Sequence, residues 1–273
     1  MPHIIVSGSF DNLRSRHIRL LHEASRLGKV HTLVWTDDVV QALEGTPPKF
    51  PLVERLYTIQ AIRYVDVVTP QMQLVSQDTL PDHLLSQTEA WVVDEASDNL
   101  VKRSFCEGHG LGYHVIRAQD LQGFPAFRPE DLKASSPRKK VIVTGCYDWL
   151  HSGHIRFFEE VSELGDLYVV VGHDDNVRLL KGQGHPLFSQ DERRYMVQSI
   201  RFVKQALISS GTGWMDGEPE IESLKPDIYV VNEDGDKPEK RTFCAQHKLE
   251  YIVLRRLPKK GLPRRESTDL RGF

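Results

Sequence analysis

Between Gly145 and His154 the chain reads Gly-Cys-Tyr-Asp-Trp-Leu-His-Ser-Gly-His. Two imidazoles, a carboxylate and a thiol stand there within one short stretch, together with two glycines. His151 and His154 are three positions apart, so in the first turn of a helix they project from one face. A helix start presents unpaired N–H groups and the positive end of the peptide dipole, and so suits an anion. Gly153, between the histidines, lets a bulky phosphate approach the backbone. The chemistry such a constellation suits is the holding and neutralising of charge on phosphate, where catalysis is mainly positioning and electrostatics. The competing reading is a metal. Cys146, His151 and His154 are close in sequence, but a structural zinc site wants four ligands, and a catalytic zinc helix usually spaces its histidines at i, i+4. No fourth ligand is evident, and no metal site is expected in the chain itself.

The elements around this stretch read as strand, helix, strand. VIVTG is a short apolar run rich in β-branched residues, and HIRFFEEVSEL, from His154, has the apolar spacing of a helix. DLYVVVGH, PDIYVVN and EYIVLR read as further strands, and SQDERRYMVQSIRFV, from Ser189, as a helix with a serine cap and early acids. Strands that are apolar throughout, separated by helices, argue a parallel sheet covered on both faces. Ligands bind such sheets beyond the carboxyl ends of the strands, which is where Gly145 to His154 must lie.

The pattern occurs twice. IIVSGSFDNLRSRHIRLLHEAS, from Ile4, matches VIVTGCYDWLHSGHIRFFEEVS, from Val141, at an offset of 137 residues. ERLYTIQAIRYV, from Glu54, matches ERRYMVQSIRFV, from Glu192, and VVDEASDNLVKRSFC, from Val92, matches VVNEDGDKPEKRTFC, from Val230, both at an offset of 138. Three blocks in one order mark an internal repeat. The expected division is a first domain over 1–127, a polar, proline-bearing linker over 128–138 and a second domain over 139–273.

With its downstream matches, GCYDWLHSGH after a strand resembles the cytidylyltransferase-like nucleotidyltransferases, whose signature is HxGH. Closest in pattern are the phosphoethanolamine and glycerol-3-phosphate cytidylyltransferases, the former also built from two copies. The resemblance implies an α/β protein of two tandem Rossmann-like nucleotidyltransferase domains, each a parallel sheet with helices on both faces. It implies that a phosphate of a small phosphorylated alcohol attacks the α-phosphate of a nucleoside triphosphate, CTP first, and that pyrophosphate leaves. On this resemblance His151, His154 and Lys181 (in RLLKGQ) are the catalytic residues. Gly145, Cys146, Tyr147, Asp148 and Gly153 border the nucleotide, together with Arg193 in the DERRYMVQSIRFV segment. Arg265, Ser267 and Thr268 fall in RRESTDL, which resembles the family's late RTxGxST motif but lacks the glycine before Ser-Thr and is about two residues shorter; that motif binds phosphate at a helix start. Magnesium is expected, held mainly by the triphosphate. The segment VVNEDGDKPEK is similar to one in the heptose-phosphate adenylyltransferases, so ATP with a sugar phosphate is the alternative pair.

The first copy departs at the chemical positions. His151 becomes Arg14, Gly153 becomes Arg16 and Lys181 becomes Glu44, while His17 alone matches a histidine. Arg16 is expected to fill the space Gly153 leaves open, and Glu44 to repel a triphosphate. The first domain is therefore expected to keep the fold and lose catalysis. Asp11 and Asp148 persist in both copies, which is compatible with a turn-stabilising role, or with phosphate geometry in the second copy only. Cys106 and Cys244 are also equivalent, which suggests packing rather than chemistry.

The whole chain has a formal net charge of −3, with 40% hydrophobic and 27% charged residues. Such a balance gives no whole-chain signal for nucleic acid or an anionic membrane. No apolar run approaches the ~20 residues of a membrane span. Three unpatterned cysteines and the absence of a signal-peptide pattern favour a soluble, cytoplasmic protein. A monomer or homodimer is expected, the fused repeat standing in for a dimer contact. A function of another class, a nucleotide-binding regulator without turnover, fits the shortened late motif and the degenerate first copy. Intact His151, Gly153, His154 and Lys181 oppose it.

Overall fold

A computed structural model describes residues 3–72, 76–126, 136–267 and Leu270. The chain divides into two compact units, Met1–Gly123 and Phe124–Phe273. The expected linker, 128–138, lies outside the described residues up to position 135.

The first unit runs β1 (His3–Gly8), α1 (Ser15–Ser25), β2 (Lys29–Trp35), α2 (Asp37–Glu44), α3 (Leu52–Gln60), β3 (Val67–Gln71), α4 (Asp82–Leu85), β4 (Ala90–Asp94), α5 (Leu100–Gly108) and β5 (Gly112–Ile116). The second runs β6 (Lys140–Gly145), α6 (Ser152–Leu164), β7 (Asp166–Val171), α7 (Asp174–Lys181), α8 (Gln190–Gln198), β8 (Val203–Ile208), α9 (Glu218–Leu224), β9 (Ile228–Asn232), α10 (Pro238–Gln246) and β10 (Glu250–Leu254). Each unit has a five-stranded sheet, in the orders β3-β2-β1-β4-β5 and β8-β7-β6-β9-β10, and every pairing is parallel. The two orders are the same when each is numbered from its own first strand.

Successive side chains of a strand point to opposite faces. In β6, Val141, Ile142 and Val143 are all fully buried, so both faces of the sheet are covered. On one face Ile142, Tyr168, Val170, Tyr229 and Val231 pack with Ile221 of α9 and with Phe243 and Cys244 of α10. Cys106 occupies the corresponding cluster of the first unit, with Ile5, Leu33, Trp91 and Val93. Burial pushes both thiols up to about 11, so these cysteines are packing groups and not nucleophiles.

The strands and helices named in the sequence form near where their patterns place them, except that the helix read from Ser189 to Val203 ends at Gln198 and Val203 opens β8. Ser189 caps α8, its Oγ accepting from the Glu192 N–H at 3.3 Å. The elements without a sequence reading in the second unit are α7, β8, α9 and α10. β8 (VKQALI) mixes polar and apolar residues at an edge of the sheet, and α9 and α10 are short. Among the described residues no helix is long and apolar enough to cross a membrane.

Candidate active site

β6 delivers the chain to the sheet's carboxyl edge at Gly145. A side chain at that position would come within 2.8 Å of the Tyr147 ring, so glycine is what allows this ring to lie across the strand end. Tyr147 itself has a left-handed backbone, φ 53°, as does Phe10 at the same place in the first unit, φ 48°. The Tyr147 ring is buried and packs edge-on against His154, with centroids 5.2 Å apart, and against Phe158 at 5.2 Å. It therefore backs His154 from inside the core.

α6 begins one residue after His151, which is its N-cap: Nδ1 accepts from the Gly153 N–H at 3.1 Å. An imidazole that accepts at Nδ1 carries its proton on Nε2. That Nε2 is buried and has no hydrogen-bond partner, and neither has the buried Nδ1 of His154. The two rings stack with centroids 3.9 Å apart. A side chain at Gly153 would meet the His151 ring at 2.9 Å, so the stacked pair depends on that glycine. The other nitrogen of His154 is left to bond the backbone of Trp149, an interaction that favours the protonated ring but is outweighed. Burial first, then the charges of Arg256 and Arg265, push His151 down to about 3. Burial, then His151, Arg256 and Lys181, hold His154 well below its ordinary value. Both rings are thus neutral at pH 7 in a surrounding of positive charge, with two polar atoms buried and unsatisfied. Such atoms cost stability unless a partner is supplied, and the field selects an anion as that partner.

The cations come from two sides. Lys181 ends α7; it is exposed, makes no hydrogen bond or ion pair among the described residues, and its charge is felt at both Cys146 and His154. On the other side the segment after β10 lies against the start of α6. Arg256 there pairs with Asp234 at 2.8 Å and donates from Nη2 to the Arg265 carbonyl at 3.2 Å. The sequence singles out Arg265 by its motif and gives Arg256 no role. The missing signal was the fold of this segment, which brings both charges to His151.

Two expectations change. The resemblance sets Arg193 beside the nucleotide, yet it is 1% exposed. Its guanidinium donates to the carbonyls of Phe188 (2.9 Å), Cys146 (2.6 Å) and Gly172 (2.7 Å) and pairs with Asp174 (2.7 Å). It ties three loops together, four of its five N–H donors being used in doing so. Asp148 likewise accepts from the Leu187 and Phe188 N–H groups at 2.7 and 3.1 Å and faces His185 Nδ1 at 3.4 Å, so its carboxylate fixes the segment before α8. In the late motif Ser267 sits half-buried in a turn, and Thr268 lies outside the described residues. Cys146 enters the site through its carbonyl, since burial pushes its half-buried thiol up and away from reactivity. Among the described residues no group of three His, Cys, Asp or Glu side chains could hold a metal ion.

Residues 142–260 match the family model described as cytidylyltransferase-like. Over 136 residues the chain is 35% identical to an FAD synthase of Aciduliprofundum boonei, covering 49% of this chain and 84% of that protein. The chain belongs to the cytidylyltransferase-like family. An FAD synthase of Methanocorpusculum labreanum is 31% identical over 135 residues, covering 48% of this chain and 92% of its own length. The bifunctional protein HldE of Campylobacter concisus is 36% identical over 107 residues, which are 38% of this chain and 22% of that protein. As a member of this family the chain carries its model match entirely within the second unit, around the stacked histidines. A nucleotide and a small molecule are the substrates that membership implies.

Proposed function

We propose that the second unit transfers a nucleotidyl group from a nucleoside triphosphate to the phosphate of a small acceptor. An acceptor phosphate oxygen forms a bond to the α-phosphorus, the bond to the bridging oxygen breaks, and pyrophosphate carries away the electron pair. The observation that carries this reading is the stacked pair His151–His154, with Nε2 of one and Nδ1 of the other buried and unpartnered beneath the charges of Lys181, Arg256 and Arg265. His151 donates its Nε2–H to a phosphate oxygen as it stands. His154 Nδ1 carries a lone pair in the neutral ring, so it donates only after taking up a proton. Triphosphate binding is therefore accompanied by proton uptake, the incoming charge raising a pKa that burial had lowered. Lys181 approaches the leaving pyrophosphate from the open side, and the N–H groups at the start of α6 face the same charge.

Adenylyl transfer is the preferred reading of the nucleotide. FAD contains an adenylyl group joined to a flavin phosphate, and two relatives are named FAD synthase. The family model's description, cytidylyltransferase-like, keeps CTP as the second reading of the nucleotide; no comparison bears on a phosphoethanolamine-like acceptor. Magnesium fits as an ion held by the triphosphate's own oxygens, since the described residues form no ligand cluster for it; it supplies charge neutralisation there. The groove between the first turn of α6 and residues 255–265 holds about 20 Å³, room for a single water. Admission of a triphosphate on that side requires the segment to move.

The test is pyrophosphate release with magnesium, for ATP and CTP separately, against flavin mononucleotide, sugar phosphates and phosphorylated alcohols. Release with one pair identifies both substrates. Nucleotide binding without release from any pair would replace this reading with that of a regulator.

A further inference from the structure

A cavity of substantial size lies in the unit that lacks the stacked histidines. It measures about 350 Å³ and opens at the carboxyl ends of β1, β2 and β4. In a sheet of this order the direction of winding reverses between β1 and β4, and that is where ligands bind doubly wound folds. The volume is within the roughly 300–1,000 Å³ of small-molecule sites.

Its lining separates into two kinds. Phe10, Trp35, Val92 and Val93 give an apolar side, and Ser7, Ser9, Gln77 and Ser97 give hydrogen-bonding groups. Trp35 stands where the second unit has Gly172, so an indole enters a position that is bare backbone in the other unit. The charged lining groups are already compensated. Asp94 pairs with Arg16 at 2.6 Å, Asp98 is bonded by Arg103, and Lys102 pairs with Asp78 at 3.1 Å. His17, whose Nδ1 accepts from the Arg14 N–H at 3.0 Å, is held below its ordinary basicity by burial and by Arg16. Among the described residues no arginine lines the cavity, and the lining carries two carboxylates against one ammonium. An anionic ligand would find the one ammonium of the lining already paired with Asp78.

We propose that this cavity binds an uncharged nucleoside: a planar base against Trp35 and Phe10, and ribose hydroxyls toward Ser7, Ser9, Ser97 and Gln77. Aromatic side chains hold bases by stacking with little regard to which base it is, and buried hydroxyl and amide groups hydrogen-bond the sugar. The first unit is then a ligand-binding unit in its own right, and its occupant is distinguished from the second unit's substrate by having no phosphate.

Adenosine and cytidine, each titrated into the full chain, test this through tryptophan fluorescence. A saturable change is expected with at least one of them, and Trp35→Phe removes it. Ala96→Phe, at the exposed rim of the cavity, weakens nucleoside binding by roughly tenfold or more, read by calorimetry. AMP binds this unit roughly tenfold or more weakly than the nucleoside. Pyrophosphate release by the second unit stays unchanged in both variants, and circular dichroism checks that each is folded. The proposal is overturned if neither nucleoside changes the fluorescence, if the change survives Trp35→Phe, or if AMP binds as tightly as the nucleoside. Each of these results leaves the second unit's transferase reading as it was.

Discussion

Arg14, Ser15, Arg16 and His17 stand at the start of α1; His151, Ser152, Gly153 and His154 stand at the start of α6. The loops leading to them are built alike. Phe10 and Tyr147 share the left-handed backbone. Asp11 accepts the N–H groups of Lys49 and Phe50 at 2.8 and 2.9 Å, as Asp148 does those of Leu187 and Phe188. Arg55 bonds the carbonyls of Phe50, Ser9 and Trp35 and pairs with Asp37 at 2.6 Å, matching each bond that Arg193 makes. The capping differs. In α6 the cap histidine accepts from Gly153, which leaves Nδ1 of His154 open. In α1 the Nδ1 of His17 is consumed by the Arg14 N–H, and Arg16 reaches across to Asp94. Residues that persist in both units hold the loop; residues that differ are those to which the proposed transfer assigns the phosphate.

The comparison can be broken at several points. Gly153→Arg imports the first unit's residue and displaces the His151 ring; pyrophosphate release is expected to fall about 10²–10³-fold, the loss typical of removing one charge-stabilising donor, with the circular dichroism spectrum unchanged. Retained turnover would show that the stacked pair is dispensable. Arg193→Ala and Arg55→Ala each remove a donor shared by three carbonyls and the partner of an aspartate, and are expected to destabilise their own units by about 3–5 kcal/mol, read as urea unfolding midpoints. An activity loss at Arg193 without a stability loss would restore it as a nucleotide ligand. Lys181→Glu, the first unit's residue at that place, is expected to weaken triphosphate binding by about 1–2 kcal/mol, the scale of one charge-assisted hydrogen bond, with the protein's melting temperature unmoved.

The smallest effect concerns pH. His151 titrates at about 3 when folded and near 6.5 when unfolded. Below pH 6.5 the unfolded chain binds a proton that the folded chain refuses. Stability from this group is therefore full above about pH 6.5 and is lost as the pH falls toward 3. His151→Asn keeps a side chain suited to an N-cap and removes the titration, so its melting temperature should fall less between pH 7 and 5 than that of the parent. Equal slopes would contradict the buried neutral imidazole.

Much of this was legible in the sequence because the repeat is. Apolar runs with β-branched residues marked β6, β7, β9 and β10, and the HSGH spacing marked the helix start. What was not legible depends on three-dimensional closure. Nothing local tells whether the guanidinium of Arg193 meets a triphosphate or three carbonyls, although its equivalence with Arg55 in a unit without the other site residues was a usable sign. Arg256 reaches His151 only because the segment after β10 folds back. The cavity beside Trp35 required knowing that β1, β2 and β4 end side by side.

The central claim is that transfer chemistry resides in the second unit alone. The most direct measurement is pyrophosphate release by His154→Ala beside His17→Ala, the equivalent change in the first unit, with the substrates that the parent protein accepts. Release is expected to be abolished in the former and kept in the latter, both variants remaining folded. Loss of release in His17→Ala, or its persistence in His154→Ala, would contradict the account.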